Sequence, residues 1–179
     1  MLPAMRRQLL TGSALLGIAL AGCSSPASRE AMVPSDLVVS QQHRHSLRVQ
    51  TSGGAETSGL DSSNIADADL KAAIEDAVVR SRLFQSIVQG NDGDYELHVQ
   101  VVSLRRPLIG GTLNVELETG WSLVRRADRA VLLRKSIHSN GTASMAEAFT
   151  FVTRLRLAVE TAARDSIRQG LLAIAELNL

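Results

Sequence analysis

Apolar and polar residues alternate with a period of two along the middle of the chain, which predicts β-strands. The clear runs cover residues 95–101 and 113–123, and a shorter run covers 46–51; a third long run, over 131–137, is predicted as a strand without strict alternation. From Leu113 to Leu123 the odd positions are apolar, apart from Thr119, while the even positions are polar or glycine. An antiparallel sheet with one covered face requires this pattern. The three longer runs therefore predict an antiparallel meander.

Two other stretches repeat their apolar residues at helical spacing. Leu70, Ile74 and Val78 lie on one side of a predicted helix that ends near Phe84. A longer helix is predicted up to Ile174, with a capping box over residues 144–147 and a β-favouring run at 149–153 that leaves its first turns extended or irregular. Its exposed side is expected to carry Arg154, Arg156, Arg164 and Arg168.

The element order β-α-β-β-β-α predicts an α+β fold over residues 45–179. We expect a three- to four-stranded, mainly antiparallel sheet with both helices packed on its apolar face. Trp121 continues the apolar face of its strand, so it is expected in the core. Asn140-Gly141 is expected to end the last strand.

The first 22 residues have the layout of a secretory signal: Arg6 and Arg7 precede an apolar run from Leu9 to Ala21. That run is too short to span a bilayer, which takes about 20 apolar residues. Leu20-Ala21-Gly22-Cys23 resembles the lipobox of bacterial lipoproteins, in which the cysteine is acylated and the preceding peptide is removed. The alternative is a buried cysteine behind an ordinary signal peptide.

The resemblance divides the chain into three parts: a signal peptide over 1–22, the lipidated Cys23 with a flexible tether over 23–44, and a periplasmic domain over 45–179. Ser24 stands where lipoproteins retained in the inner membrane carry Asp. The resemblance therefore implies an outer-membrane protein that is held by lipid and faces the periplasm.

The composition excludes several functions. Cleavage before Cys23 would leave 17 basic and 18 acidic residues, so no basic surface for nucleic acid is expected. With a single cysteine, neither disulfides nor thiolate metal sites are expected. Phosphate-binding, dinucleotide-binding and hydrolase motifs do not occur, and no cofactor is expected.

The stretches DLKAAIEDAVVRSRLFQSI and DYELHVQVVSL, together with the lipobox, resemble small envelope lipoproteins with a TolB-N-terminal-like or lipopolysaccharide-assembly-lipoprotein-like fold. That group includes activators of penicillin-binding proteins and auxiliary lipoproteins of lipid-transporting ABC systems. FVTRLRLAVETAARDSI is similar to a stretch in other proteobacterial lipoproteins. The resemblance implies a fold and a location, but it carries over no site.

Histidines supply the candidate catalytic or metal-binding groups. His43 and His45 would point to one side of an extended segment, as a metal requires, or form a solvated pair at the end of a tether. His98 is expected on the polar face of its strand, opposite Glu116 or Glu118, as an acid/base pair or as an ordinary cross-strand pair.

Candidate contacts with an anion or a partner lie at the strand ends. Arg105 and Arg106 are expected at one end of the sheet, and Arg125 and Arg126 at the other, where each pair could meet lipid phosphate, lipopolysaccharide or solvent. Leu108 and Ile109 form an apolar tip that inserts into a partner or a bilayer, or packs on its own sheet.

These features predict a non-enzymatic outer-membrane lipoprotein that acts as an accessory or binding component in envelope assembly or in lipid or lipopolysaccharide transport. The expected partners are the membrane, through Cys23, and an envelope protein. The alternative is regulation of a periplasmic enzyme that synthesises or cleaves peptidoglycan. A small hydrolase or metal-binding protein is a third, weaker hypothesis.

Overall fold

The computed structural model describes residues 26–57 and 63–179. The predicted signal peptide and Cys23 lie outside these residues. The elements are α1 (Arg29–Met32), β1 (His43–Ser52), α2 (Asp67–Ser81), β2 (Phe84–Ile87), β3 (Tyr95–Arg105), β4 (Leu113–Arg125), β5 (Val131–Ala143) and α3 (Phe151–Ala175).

The strands form one mixed sheet in the order β2-β1-β3-β4-β5. The α+β class is confirmed, as is the antiparallel meander of β3, β4 and β5. However, β1 runs parallel to both β2 and β3, so the expectation of a mainly antiparallel sheet was wrong in part. The sheet of the described residues has five strands, whereas three or four were expected. The sequence pattern assigned the start of β2 to the preceding helix, but Arg82 adopts a left-handed conformation with φ 55° and ends α2 there.

Helices α2 and α3 cover the apolar face of the sheet, as predicted. Trp121 is 1% exposed, which confirms its place in the core. Its indole N–H donates to the hydroxyl of Thr119 at 2.9 Å, and that hydroxyl lies 2.7 Å from the hydroxyl of Ser166 on α3. A short buried polar chain therefore connects the sheet to the last helix, with each member paired.

Two glycines let α3 approach the sheet closely. A Cβ added at Gly141 of β5 would lie 1.9 Å from the carbonyl oxygen of Ala158, and one at Gly170 would lie 2.5 Å from the Trp121 ring. The expectation that Asn140-Gly141 ends β5 was wrong, because the strand continues to Ala143. The glycine is required by the helix above it and does not mark a turn.

The last helix begins at Phe151, with Thr150 as its N-cap. The predicted capping box over residues 144–147 does not start the helix, because it lies in a local turn ahead of it, where the backbone N–H of Ser144 donates to the Glu147 carboxylate at 2.7 Å. The expectation of irregular structure around residues 149–153 is therefore met only before Phe151.

The segment that precedes β1 lies against the helices from Ala27 onward, although the sequence pattern suggested a flexible tether up to residue 44. Ala27, Met32 and Val33 are buried. The Ser28 N–H donates to the carboxylate of Glu160, which is 3% exposed on α3, at 3.0 Å. Buried apolar side chains and a paired buried carboxylate therefore fix this segment in the groove between α2 and α3.

We expect the variant Gly141→Ala to lower the free energy of unfolding by about 2–3 kcal/mol, because the new methyl group meets a helix backbone that cannot move aside as a side chain would. Gly120→Ala is the matched control in β4, since its Cβ would meet only a Val102 methyl group at 3.8 Å. Urea unfolding of both variants measures the difference. Equal stability of the two variants would contradict this account of α3 packing.

Candidate functional site

Two loops lie side by side at one end of the sheet. The first connects β3 to β4, and the second connects β5 to α3; they are neighbours because Leu113 pairs with Ala143. Both loops expose large apolar side chains: Leu108 is 88%, Ile109 87%, Phe149 85% and Met145 55% exposed. We call these four side chains the apolar end.

Arg154 holds the two loops together. It is 6% exposed, and its guanidinium donates to the carbonyl oxygens of Ala148 at 3.1 Å, Phe149 at 2.6 Å and Gly110 at 3.3 Å. Hydrogen bonds from a charged donor are stronger than those between neutral groups. The expectation that Arg154 faces solvent was therefore wrong, and the arginine gives the apolar end a fixed shape.

Arg156 and Arg168 are partly exposed, as expected for the outer side of α3, and Arg156 lies 3.8 Å from Glu160 on the same helix. Arg164 donates through two nitrogens to the carbonyl oxygen of Ala31, at 2.8 and 2.6 Å, and Arg168 pairs with Asp36. Both fix the N-terminal segment to the helix. Arg164 and Arg168 therefore contact the N-terminal segment instead of acidic residues of α3.

The candidate arginines near the apolar end engage the protein itself. Arg106 donates to the carbonyl oxygen of Ser63 at 2.9 Å and to the side-chain oxygen of Asn64 at 2.5 Å. Arg105 is 79% exposed and lies 3.7 Å from the Glu116 carboxylate. Of this pair, Arg105 is the better placed to contact an anion.

Arg125 and Arg126 lie at the opposite end of the sheet, as the meander predicted, because Tyr95 pairs with Arg125. Arg125 donates to Asp128 at 3.1 Å. Arg126 donates to the carbonyl oxygen of Asn91 and lies 3.8 Å from Glu96. Arg126 therefore connects the end of β4 to the start of β3 and to the loop before it.

His98 does not contact the carboxylates that the sequence suggested. The register places it opposite Ser122, while Glu118 lies beside His138 at 3.8 Å. His98 instead bonds to Glu96 on its own strand. Burial acts to raise the pKa of Glu96, but the hydrogen bond from His98 and the nearby positive charges outweigh it and lower that pKa.

His43 and His45 occupy different environments. His43 is buried, with Nε2 3.2 Å from the Ile174 carbonyl oxygen and its ring 5.2 Å from that of Phe84. His45 packs edge-on to Tyr95 at 5.1 Å. A solvated pair was therefore the wrong picture of His43, which packs in the core beside the end of α3.

Across the two described ranges, no group of three or more histidine, cysteine, aspartate or glutamate side chains is placed to hold a metal. Within the same residues, no helix is both long and apolar enough to cross a bilayer. The apolar end and the N-terminal segment are the features from which we infer a function.

Comparison with known proteins shows the fold. No protein-family model and no curated protein matches the chain. Protein XCC0632 from Xanthomonas campestris, of the family DUF330, is similar with a TM-score of 0.59 and 14% identity, over 86% of this chain and 95% of that one.

Two further solved structures align with TM-scores of 0.49. The Minor Lipoprotein from Acinetobacter baumannii is 12% identical over 75% of this chain and 93% of that one. The PelC dodecamer from Paraburkholderia phytofirmans is 13% identical over 75% of this chain and 89% of that one. At these identities the comparisons establish a shared architecture with XCC0632 and leave the function to the residues of this chain.

The sequence pattern missed Met145, Phe149 and Arg154 as parts of the same surface as Leu108 and Ile109. Phe149 stands in a β-favouring run next to a helix start, which pointed to irregular backbone but not to exposure. The missing signal was the pairing of β4 with β5 through residue 143, which brings the two loops together.

We expect stability to fall on acidification below about pH 6.5 because of His43. Burial lowers the pKa of His43 from its usual value of 6.5, so the unfolded chain takes up a proton first. The loss begins near the unfolded pKa and is complete below the folded one. His43→Gln should flatten the dependence of the urea-unfolding free energy on pH over this window. Identical pH profiles for wild type and His43→Gln would contradict the assignment.

Proposed function

We propose that this chain is a non-enzymatic lipoprotein whose acylated Cys23 holds an α+β domain at the periplasmic face of the outer membrane. There it acts as an accessory component of envelope assembly or of lipid or lipopolysaccharide transport. The observation that carries the proposal is the lipobox cysteine, which stands four residues before Ala27, the first buried residue of the domain.

The docked N-terminal segment supports the proposal. A single lipid chain gives marginal anchoring, whereas two or more hold a protein stably. Because residues 27–40 lie on the helices, the chain between Cys23 and the fold is short. An anchor placed there keeps the domain beside the membrane, which suits a component that works on lipids or on membrane-bound partners.

The polar groups of the sheet support a binding role over catalysis. Among the described residues, His98, Glu96 and Arg126 are engaged with one another or with backbone oxygens. The sheet face opposite the helices also carries Arg134 on β5, which is one of the two edge strands of the sheet. An edge strand is a surface on which a partner protein can bind.

The anchor is tested by expressing the full chain in a Gram-negative host and measuring the mass of its N-terminal peptide. We expect cleavage before Cys23 and added acyl groups on that residue. Cys23→Ser should abolish both modifications and the membrane fraction. Ser24→Asp is the matched variant, and it should keep the lipid while moving the protein to the inner membrane. An unmodified thiol with a free amino terminus would overturn the proposal.

The role is tested by crosslinking in cells and by deleting the coding sequence. Capture of a lipid-transport or assembly component, with increased detergent permeability on deletion, is the expected result. Capture of a peptidoglycan enzyme, with β-lactam sensitivity alone, would favour the regulatory alternative instead.

A further inference from the structure

We propose that the apolar end is the face that the domain turns towards the bilayer, where Leu108, Ile109, Met145 and Phe149 enter the interfacial layer of the leaflet that holds Cys23. This inference rests on the proposed anchor at Cys23. It assigns the domain an orientation on the membrane and a second, non-covalent contact with lipid.

The path of the N-terminal segment along α3 supports this orientation. Ser40 lies beside the last turn of the helix, and the contacts then climb towards its first turn as the chain is followed back to Ser28. The successive pairs are Ser40 with Ala175, Asp36 with Arg168, Ala31 with Arg164, and Ser28 with Glu160. From Ser40 back to Ser28 the segment thus runs in the direction of Phe151, where α3 meets the apolar end.

The lengths agree. The four peptide units from Cys23 to Ala27 reach at most about 14 Å when extended. Phe151 precedes Glu160 by nine residues, which is also about 14 Å along a helix axis. The acylated residue can therefore reach the level of the first turn of α3 and cannot go far beyond it.

A second set of contacts connects the chain exit to the apolar tip. The Ala27 N–H donates to the Asn64 carbonyl oxygen at 3.3 Å, and Arg106 donates to the side chain of the same Asn64. Arg106 stands two residues before Leu108. The place where the anchor joins the fold and the exposed apolar tip therefore belong to the same end of the domain.

The chemistry of this end suits lipid. Three of its four large side chains are at least 85% exposed, which is costly in water and favourable at the edge of hydrocarbon. Of the arginines beside it, Arg105 faces Glu116, and the guanidinium of Arg154 is 6% exposed, with its N–H groups on backbone oxygens. Binding driven by apolar contact should therefore change little with salt.

The test supplies the lipid chemically, so that it does not depend on acylation in the cell. The chain over 23–179 has one cysteine, which allows Cys23 to be coupled to a maleimide phospholipid in vesicles of phosphatidylethanolamine and phosphatidylglycerol. Amide hydrogen exchange is then compared with the same protein free in solution. We expect exchange to slow at least about threefold in residues 107–112 and 144–150.

The variant Leu108→Ser with Ile109→Ser and Phe149→Ser should lose this protection. The control Val38→Ser with Val79→Ser, at side chains 84% and 61% exposed elsewhere, should retain it. Unchanged exchange at both loops on vesicles, or protection that survives the triple serine variant, would overturn the inference. Protection that appears only when envelope proteins are added would overturn it too, in favour of a protein partner.

The experiments can disprove the anchor at Cys23 and the orientation of the domain independently of each other. Natural acylation of Cys23 without protection of the loops would leave the anchor and remove the orientation. Protection on chemically coupled vesicles without natural acylation would show that the apolar end binds lipid, and would remove the anchor.

Discussion

The close approach of α3 to the sheet is the constraint on which the rest of the structure depends. Gly141 lets the α3 backbone lie directly against β5, and Gly170 lets it lie directly against the Trp121 ring, where any side chain would keep them apart. The position of α3 then defines the groove that receives the N-terminal segment. It also defines the point at which the helix begins, beside the apolar end.

Arginines on α3 fix the two parts of the chain that lie beside the helix. Arg164 and Arg168 hold the segment that leads to Cys23, and Arg154 holds the two apolar loops. One helix therefore connects the proposed lipid attachment to the proposed lipid-facing surface. Because the buried guanidinium of Arg154 needs acceptors, its contacts also fix loop backbone that lies outside the strands and helices.

The elements that could be predicted are those with strong local periodicity. Alternation of polar and apolar residues predicted part of β1, β3 and β4, and the antiparallel meander placed the arginine pairs at opposite ends. β2 has four residues and no alternation, so nothing local distinguished it from the end of a helix. The parallel pairing of β1 depends on the crossover through α2, which periodicity does not report.

The parts of the candidate site that could not be predicted depend on contacts between distant residues. Pro26, Pro34 and sparse apolar positions look like a linker until the groove between α2 and α3 is known. His98 and Glu116 share a face, but the loop between their strands sets a register that separates them. Exposure of Leu108 and Ile109 remained open in the sequence, and the structure resolves it in favour of solvent.

The hydrogen bond between Ser28 and Glu160 also bears on when the domain can fold during its synthesis. The ribosome makes residues 27–40 before α3, and Ser28 supplies the N–H that the Glu160 carboxylate accepts. Until α3 is synthesised, the early segment has no groove to occupy, and its amide has no carboxylate to meet. The native state can therefore form only once α3 exists, so the domain stays incompletely folded until that helix has been made.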